Sequence, residues 1–271
     1  MKSNNILLAD PAFDPATAPA CKLLVKIGLD SLSYAIINVE NKKVQAVFDE
    51  QECEDGTQKL AQCLKSDSYL TLPYQEIKVA FLTDNTISIP NTLYNEDDLD
   101  VHTQFFTSAS SGNLYKQHHD FHGFTTIFSI SSAAELFYDS GIKKFQQGAA
   151  LLKLTEKIEG TILLLDFTVG AFNALFMRDQ QVVLQQYYET ENTDEFNYYL
   201  ILMINQLQIN VKTTAVQIMG IIHEGDAKYT CLNKYFASIH FLAIESELNL
   251  DVLEDMPAHY YTTLLALDQC V

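Results

Sequence analysis

The densest group of side chains able to do chemistry is Lys116-Gln117-His118-His119-Asp120-Phe121-His122. Imidazole and carboxylate donors are what zinc and nickel take from proteins. On a strand His118, Asp120 and His122 would share one face. Three alternating ligands span about 13 Å and converge on one ion only if the chain bends. The expected reading is therefore an exposed loop or edge strand leading into a strand over residues 123–130. Zinc or nickel on His118 and His122 is the alternative. Ser108-Ala109-Ser110-Ser111-Gly112 has no base beside it and reads as a flexible loop. No Gly-x-Ser-x-Gly elbow, Walker loop, dinucleotide glycine fingerprint or His-Glu-x-x-His helix is present.

Cys21, Cys53, Cys63, Cys231 and Cys270 are odd in number and form no Cys-x-x-Cys pair. Reduced structural thiols are expected, with neither a zinc site nor a redox pair. Seventeen basic against 35 acidic residues give a net charge of −18. That speaks against a nucleic-acid partner, because phosphate binding needs clustered Lys and Arg. The acidic run Asn95-Glu96-Asp97-Asp98-Leu99-Asp100 lacks the turn glycine and late glutamate of a calcium loop and reads as a solvated helix start. No apolar run approaches the roughly 20 residues of a membrane helix. The apolar stretch Ile6-Leu7-Leu8-Ala9 is too short for a secretory leader, so a cytoplasmic location is expected. Tyr187-Tyr188, Tyr198-Tyr199 and Tyr260-Tyr261 are expected in the core or sheets, an exposed member of a pair serving to anchor a protein partner.

The elements that must position any site follow from periodicity. Pro11, Pro15 and Pro19 mark residues 1–20 as an extended lead, pinned through Phe13. Leu23, Val25, Ile27 and Leu29 alternate as a strand, and residues 34–39 and 44–48 continue a meander. A helix face at Thr57, Leu60, Ala61 and Leu64 and a strand over residues 78–82 follow. Leu99, Phe105 and Phe106 suggest a helix; Ser132 with Glu135 is a capping box opening another through Leu136 and Phe137, and one more covers residues 148–157. From Gly160 the pattern restarts. Residues 161–176 and 182–184 form a second three-strand meander, and Asn192 caps a helix carrying Phe196, Tyr199, Leu200, Met203 and Leu207. Strand, helix, strand and closing helix complete the chain. A first domain over 21–158 and a second over 159–271 are thus expected, each with a mixed sheet whose helix-linked strands run parallel.

This duplicated order of elements resembles the actin-like ATPase superfamily, and the chain is similar to an uncharacterised bacteroidal protein family with that fold. The resemblance covers nearly the whole chain from Leu23. It implies two duplicated actin-like (ribonuclease H-like) α/β domains with mixed sheets facing a central cleft. ATP and magnesium would lie there, held by the first turns of the two meanders. In active members each turn reads roughly Asp-x-Gly followed by Gly, Ser or Thr. Glycine lets backbone N–H groups approach phosphate, and the aspartate orients hydrated magnesium.

The cleft positions this resemblance implies are Asp30, Ser31, Asp166, Thr168 and Gly220, and all three signatures are altered. Setting the polar turns against each other places Gly28 opposite Asp166. Gly28-Leu29-Asp30-Ser31 then has glycine and aspartate in each other's places. Asp166-Phe167-Thr168-Val169 lacks the glycines before Gly170, and the Gly-Gly expected after a late strand is reduced to Gly220. A negative Asp30 where phosphate should lie is repulsive unless a metal intervenes. The expectation is a non-catalytic protein with degenerate phosphate turns, acting through contacts with an unidentified protein partner and needing no cofactor. An ATPase or small-molecule kinase with a rearranged site, using ATP and magnesium, is the alternative.

Overall fold

The computed structural model describes residues 5–96, 99–106, 112–130 and 141–271. The capping box at Ser132 and Glu135, its helix through Leu136 and Phe137, most of the Ser108 run, and Asp97 and Asp98 lie outside the described residues. The chain divides into two compact units, Met1–Ala149 with Glu247–Val252, and Ala150–Ser246 with Leu253–Val271. The short returning segment belongs to the first unit through the Lys43 to Asn249 bridge. Sequence reading placed the division near residue 158, after the helix over 148–157.

The first unit is built on a six-stranded sheet, ordered β1-β4-β3-β2-β5-β9. Its strands are β1 (Asn5–Ala9), β2 (Cys21–Ile27), β3 (Leu32–Asn38), β4 (Lys43–Glu50), β5 (Glu76–Phe81) and β9 (Lys143–Gln146). β2, β3 and β4 form the antiparallel meander, while β5 and β9 run parallel to β2 as expected of helix-linked strands. The lead is more ordered than its prolines suggested. Asn5–Ala9 adds to the open edge of β4, and Pro15–Ala20 is a 3-10 helix capped by the Asp14 carboxylate. Apolar Ile6-Leu7-Leu8 suits a strand, and Pro15 at a helix start loses no hydrogen bond. Helix α1 (Gly56–Ser66) buries Leu60 and Cys63 against Leu23, Val25, Tyr34 and Phe48. Helix α2 (Leu99–Thr103) and a small antiparallel sheet complete the unit, with β8 (Phe124–Ser129) between β6 (Thr86–Pro90) and β7 (Leu114–His119).

The second unit contains a five-stranded sheet ordered β12-β11-β10-β13-β14. Its antiparallel meander is β10 (Ile162–Thr168), β11 (Ala171–Arg178) and β12 (Gln181–Glu189); β13 (Ala215–Gly220) and β14 (Ile239–Phe241) are parallel to β10. Asp179 and Gln180 both have positive φ, as the tight turn between β11 and β12 requires. Helix α3 (Ala149–Thr155) leads into β10. Helix α4 (Thr193–Gln206) opens as its cap predicts: the Asn192 side chain accepts from Asp194 and Glu195 N–H, and Glu195 reaches back to the N–H of Glu191. Its Phe196, Leu200 and Met203 pack on Leu163, Leu165, Phe172 and Phe176. Helices α5 (Ala227–Asn233) and α6 (Thr262–Ala266) follow. No helix among the described residues is long and apolar enough to cross a membrane.

Candidate functional site

In the first unit, residues 28–31 connect β2 to β3, with Ile27 paired to Leu32. The turn closes on itself through Gly28 N–H to the Ser31 carbonyl at 2.9 Å. Two more of its carbonyls are taken by the chain's own next segment. Cys53 N–H donates to Asp30 O at 2.8 Å, and Gly56 N–H to Leu29 O at 2.9 Å. Gly56 is the first residue of α1, so that helix is seated directly on the turn. A Cβ at Gly56 would lie 2.3 Å from Gly28 O and 2.7 Å from Ser31 O, so only glycine permits the approach. Burial, with Glu52 adding repulsion, raises the Asp30 carboxyl above the ordinary carboxylate range. Burial, Glu50 and Asp30 push the Cys53 thiol up to about 11, which leaves it protonated and unreactive near neutral pH. Lys59 pairs with Glu50 at 2.7 Å. The surroundings of this turn are acidic, and among the described residues the buried Glu50 Oε2 has no hydrogen-bond partner.

The second turn is differently made. Asp166 lies inside β10, paired with Asn173, while Thr168 at the strand end pairs with Ala171. Gly28, by contrast, lies beyond the end of β2. The two are not register equivalents, which corrects the alignment drawn from the polar turns. The Asp166 side chain is 2% exposed, and its Oδ2 accepts from the Thr263 hydroxyl at 3.1 Å. Thr263 belongs to the first turn of α6, where a carboxylate is favoured by the helix dipole. Gly220 ends β13 with φ +78°, and a Cβ there would sit 2.1 Å from Phe167 O and 2.8 Å from Asp166 Oδ1. Its N–H donates to His259 O, and His259 Nε2 donates to Ile222 O at 2.7 Å. Of the residues singled out by sequence, Asp166 and Gly220 therefore meet in the second unit, with Thr168 at the same sheet end. Asp30 and Ser31 belong to the first unit.

Sequence reading missed three residues around the second turn. Thr263 lies 97 positions from Asp166 and His259 follows an irregular stretch, so no spacing pattern links them to it. Lys228, in α5, places Nζ 3.1 Å from Thr190 Oγ1 and 5.9 Å from the centre of the Phe167 ring. Thr190 in turn donates its N–H to Gly170 O at 2.7 Å. Burial lowers the Lys228 pKa, with Asp226 opposing. A half-buried lysine on a short helix carries no sequence signature.

The histidine run begins on the edge strand β7 and does not form the common face that the metal alternative required. β7 ends at His119, and Asp120–His122 turns as a 3-10 helix. His118 Nδ1 donates to Thr125 Oγ1 at 2.9 Å, whose own proton goes to Asn91 Oδ1 at 2.9 Å. His119 contacts Thr126 Oγ1 at 3.1 Å, and burial, with His122 and His118 adding repulsion, lowers its pKa to about 4. Among the described residues, no group of three or more His, Cys, Asp or Glu side chains could hold a metal ion. The metal alternative on His118 and His122 thus loses the shared face it relied on.

Residues 10–239 match the profile of a family described as a protein of unknown function (DUF3822). No curated protein matches the chain. Among solved structures, the chain is similar to a Bacteroides thetaiotaomicron VPI-5482 protein with actin-like ATPase fold and unknown function. That likeness has a TM-score of 0.77 at 16% identity and covers 96% of this chain and 99% of that one. It is also similar in fold to the PilM–PilN type IV pilus biogenesis complex, with a TM-score of 0.63 at 10% identity, covering 92% of this chain and 97% of that one. The mixed α/β architecture is that of the actin-like ATPases.

Proposed function

The chain belongs to the DUF3822 family, and we propose that this member is a non-catalytic cytoplasmic protein whose phosphate turns have become structural and which acts through protein–protein contacts. The observation that carries this reading is Asp166, almost fully buried and hydrogen-bonded to Thr263. A carboxylate that orients hydrated magnesium must reach water, since the ion keeps several of its own. Support comes also from the first turn, where Cys53 and Gly56 occupy two carbonyls and α1 is seated on the turn. We further propose that the two units are copies of one ancestral unit. The matching strand orders β4-β3-β2-β5-β9 and β12-β11-β10-β13-β14 support this. That a chain of the PilM–PilN complex shares the fold is consistent with a fold of this kind serving protein contacts.

Lys228 favours a second reading. A half-buried ammonium against the Gly170 turn is a cation that a phosphate could recruit, and a rearranged ATPase or kinase using ATP and magnesium would draw on it. Phosphate release from ATP with magnesium separates the two. The first reading predicts a rate equal to the buffer blank, unchanged in Asp30→Ala and Lys228→Ala. Magnesium-dependent turnover that either substitution abolishes would establish the second.

A further inference from the structure

One edge of the five-stranded sheet is β12, which reads Gln181-Val182-Val183-Leu184-Gln185-Gln186-Tyr187-Tyr188-Glu189. It carries no charge before Glu189, no proline and no glycine. β11 pairs with one side, and among the described residues no strand pairs with the other. Exposed edges are normally blunted by charges, prolines, bulges or a covering element, because an open edge templates further pairing. β12 has one such device. The register shifts opposite Phe176 and Met177, leaving Val183 out of the ladder and residues 184–189 regular.

Beside this edge α4 exposes aromatic and aliphatic side chains. The Tyr188 ring packs on Tyr199 of α4 at 4.7 Å, and Tyr199 on Tyr198 at 5.5 Å. Tyr198 is 62% and Ile201 37% exposed, three positions apart on one face of the helix. Aromatic contact therefore runs from the buried Phe172, through Tyr188 and Tyr199, to an exposed tyrosine.

We propose that β12 is a self-association strand, pairing antiparallel with β12 of a second copy about a two-fold axis through Gln186. Charge restricts where two copies can meet: a chain of net charge −18 repels its own copies, and their approach is least opposed where a long stretch carries no charge. Self-complementarity selects a second copy as the occupant. A two-fold antiparallel pair must set one residue opposite itself. Gln186 lies within the regular run and is exposed. Centring there places Leu184 opposite Tyr188 of the second copy, an aliphatic–aromatic pair on the face that α4 covers. Gln185 then meets Tyr187 on the other face, and no like charges meet within residues 184–188. The inference goes beyond the reading of the phosphate turns and does not depend on it.

The test is sedimentation velocity on the full chain from about 1 to 100 μM, the range in which a modest interface dissociates. A concentration-dependent monomer–dimer equilibrium is expected. Gln186→Lys, which sets two ammonium groups together at the axis, should weaken it at least about tenfold. Gln186→Cys should form a covalent dimer on oxidation that reduction reverses, because directly opposed strand residues stand about 4.5–5.5 Å apart between Cα atoms, within disulfide range. The unsubstituted chain serves as the control for its own thiols, and far-ultraviolet circular dichroism checks that both variants fold. A monomer throughout would overturn the proposal. So would a dimer that Gln186→Lys leaves unchanged and Gln186→Cys does not cross-link.

Discussion

At the scale of single residues, Asp166 and Asp30 have opposite fates. Asp166 is buried and held by a hydroxyl, so removing that donor leaves part of a carboxylate unsatisfied in the interior. Thr263→Val should cost about 1–3 kcal/mol in urea unfolding, whereas Thr263→Ser, which keeps the hydroxyl, should cost less than about 1 kcal/mol. Asp30 has a carboxyl pKa raised in the folded protein. The folded state then binds its proton more tightly than the unfolded chain, so this group's contribution falls as pH rises through the window above the ordinary carboxylate value. Asp30→Asn should therefore raise Tm at pH 7, and the gain should fade as pH falls below about 4, where both states are protonated. Thermal melts across that range read it directly. An equal effect at every pH would assign Asp30 a different role. Asp166 was legible from its place at the end of an apolar run. Thr263 was not, because a contact across 97 positions leaves no local pattern.

At the scale of elements, two glycines set how closely segments approach. Gly56 lets α1 sit on the β2–β3 turn, and Gly220 lets β13 close against Phe167 and Asp166. Gly220→Ala combines a backbone clash with positive φ, and should cost more than about 2 kcal/mol or prevent folding. Gly160→Ala is the control. It shares positive φ, at +86°, but has nothing within 4 Å of a new Cβ, so its cost should stay at about 1 kcal/mol by denaturant titration. If both cost the same, φ alone governs and the close packing of β13 is not the constraint. The meander strands and the cap of α4 were readable, since alternation and capping are local. The strand Asn5–Ala9 was not, because its stability comes from β4, far along the sequence. Strand register was also hidden: polar turns of different length made Gly28 look equivalent to Asp166 until the pairing was known.

At the scale of the whole molecule, the actin-like architecture was legible because it is written in the order of elements, which survives the loss of any one motif. The state of the phosphate turns rests instead on burial and on partners brought from distant segments, which order alone does not reveal. Whether these turns have become structural is read by the thermal stability of the chain with and without millimolar ATP and magnesium. A ligand present at 100 times its Kd would add about 2.7 kcal/mol. Structural turns give coincident melting curves at every nucleotide concentration; a saturable rise in Tm that requires magnesium would show instead that they still bind nucleotide.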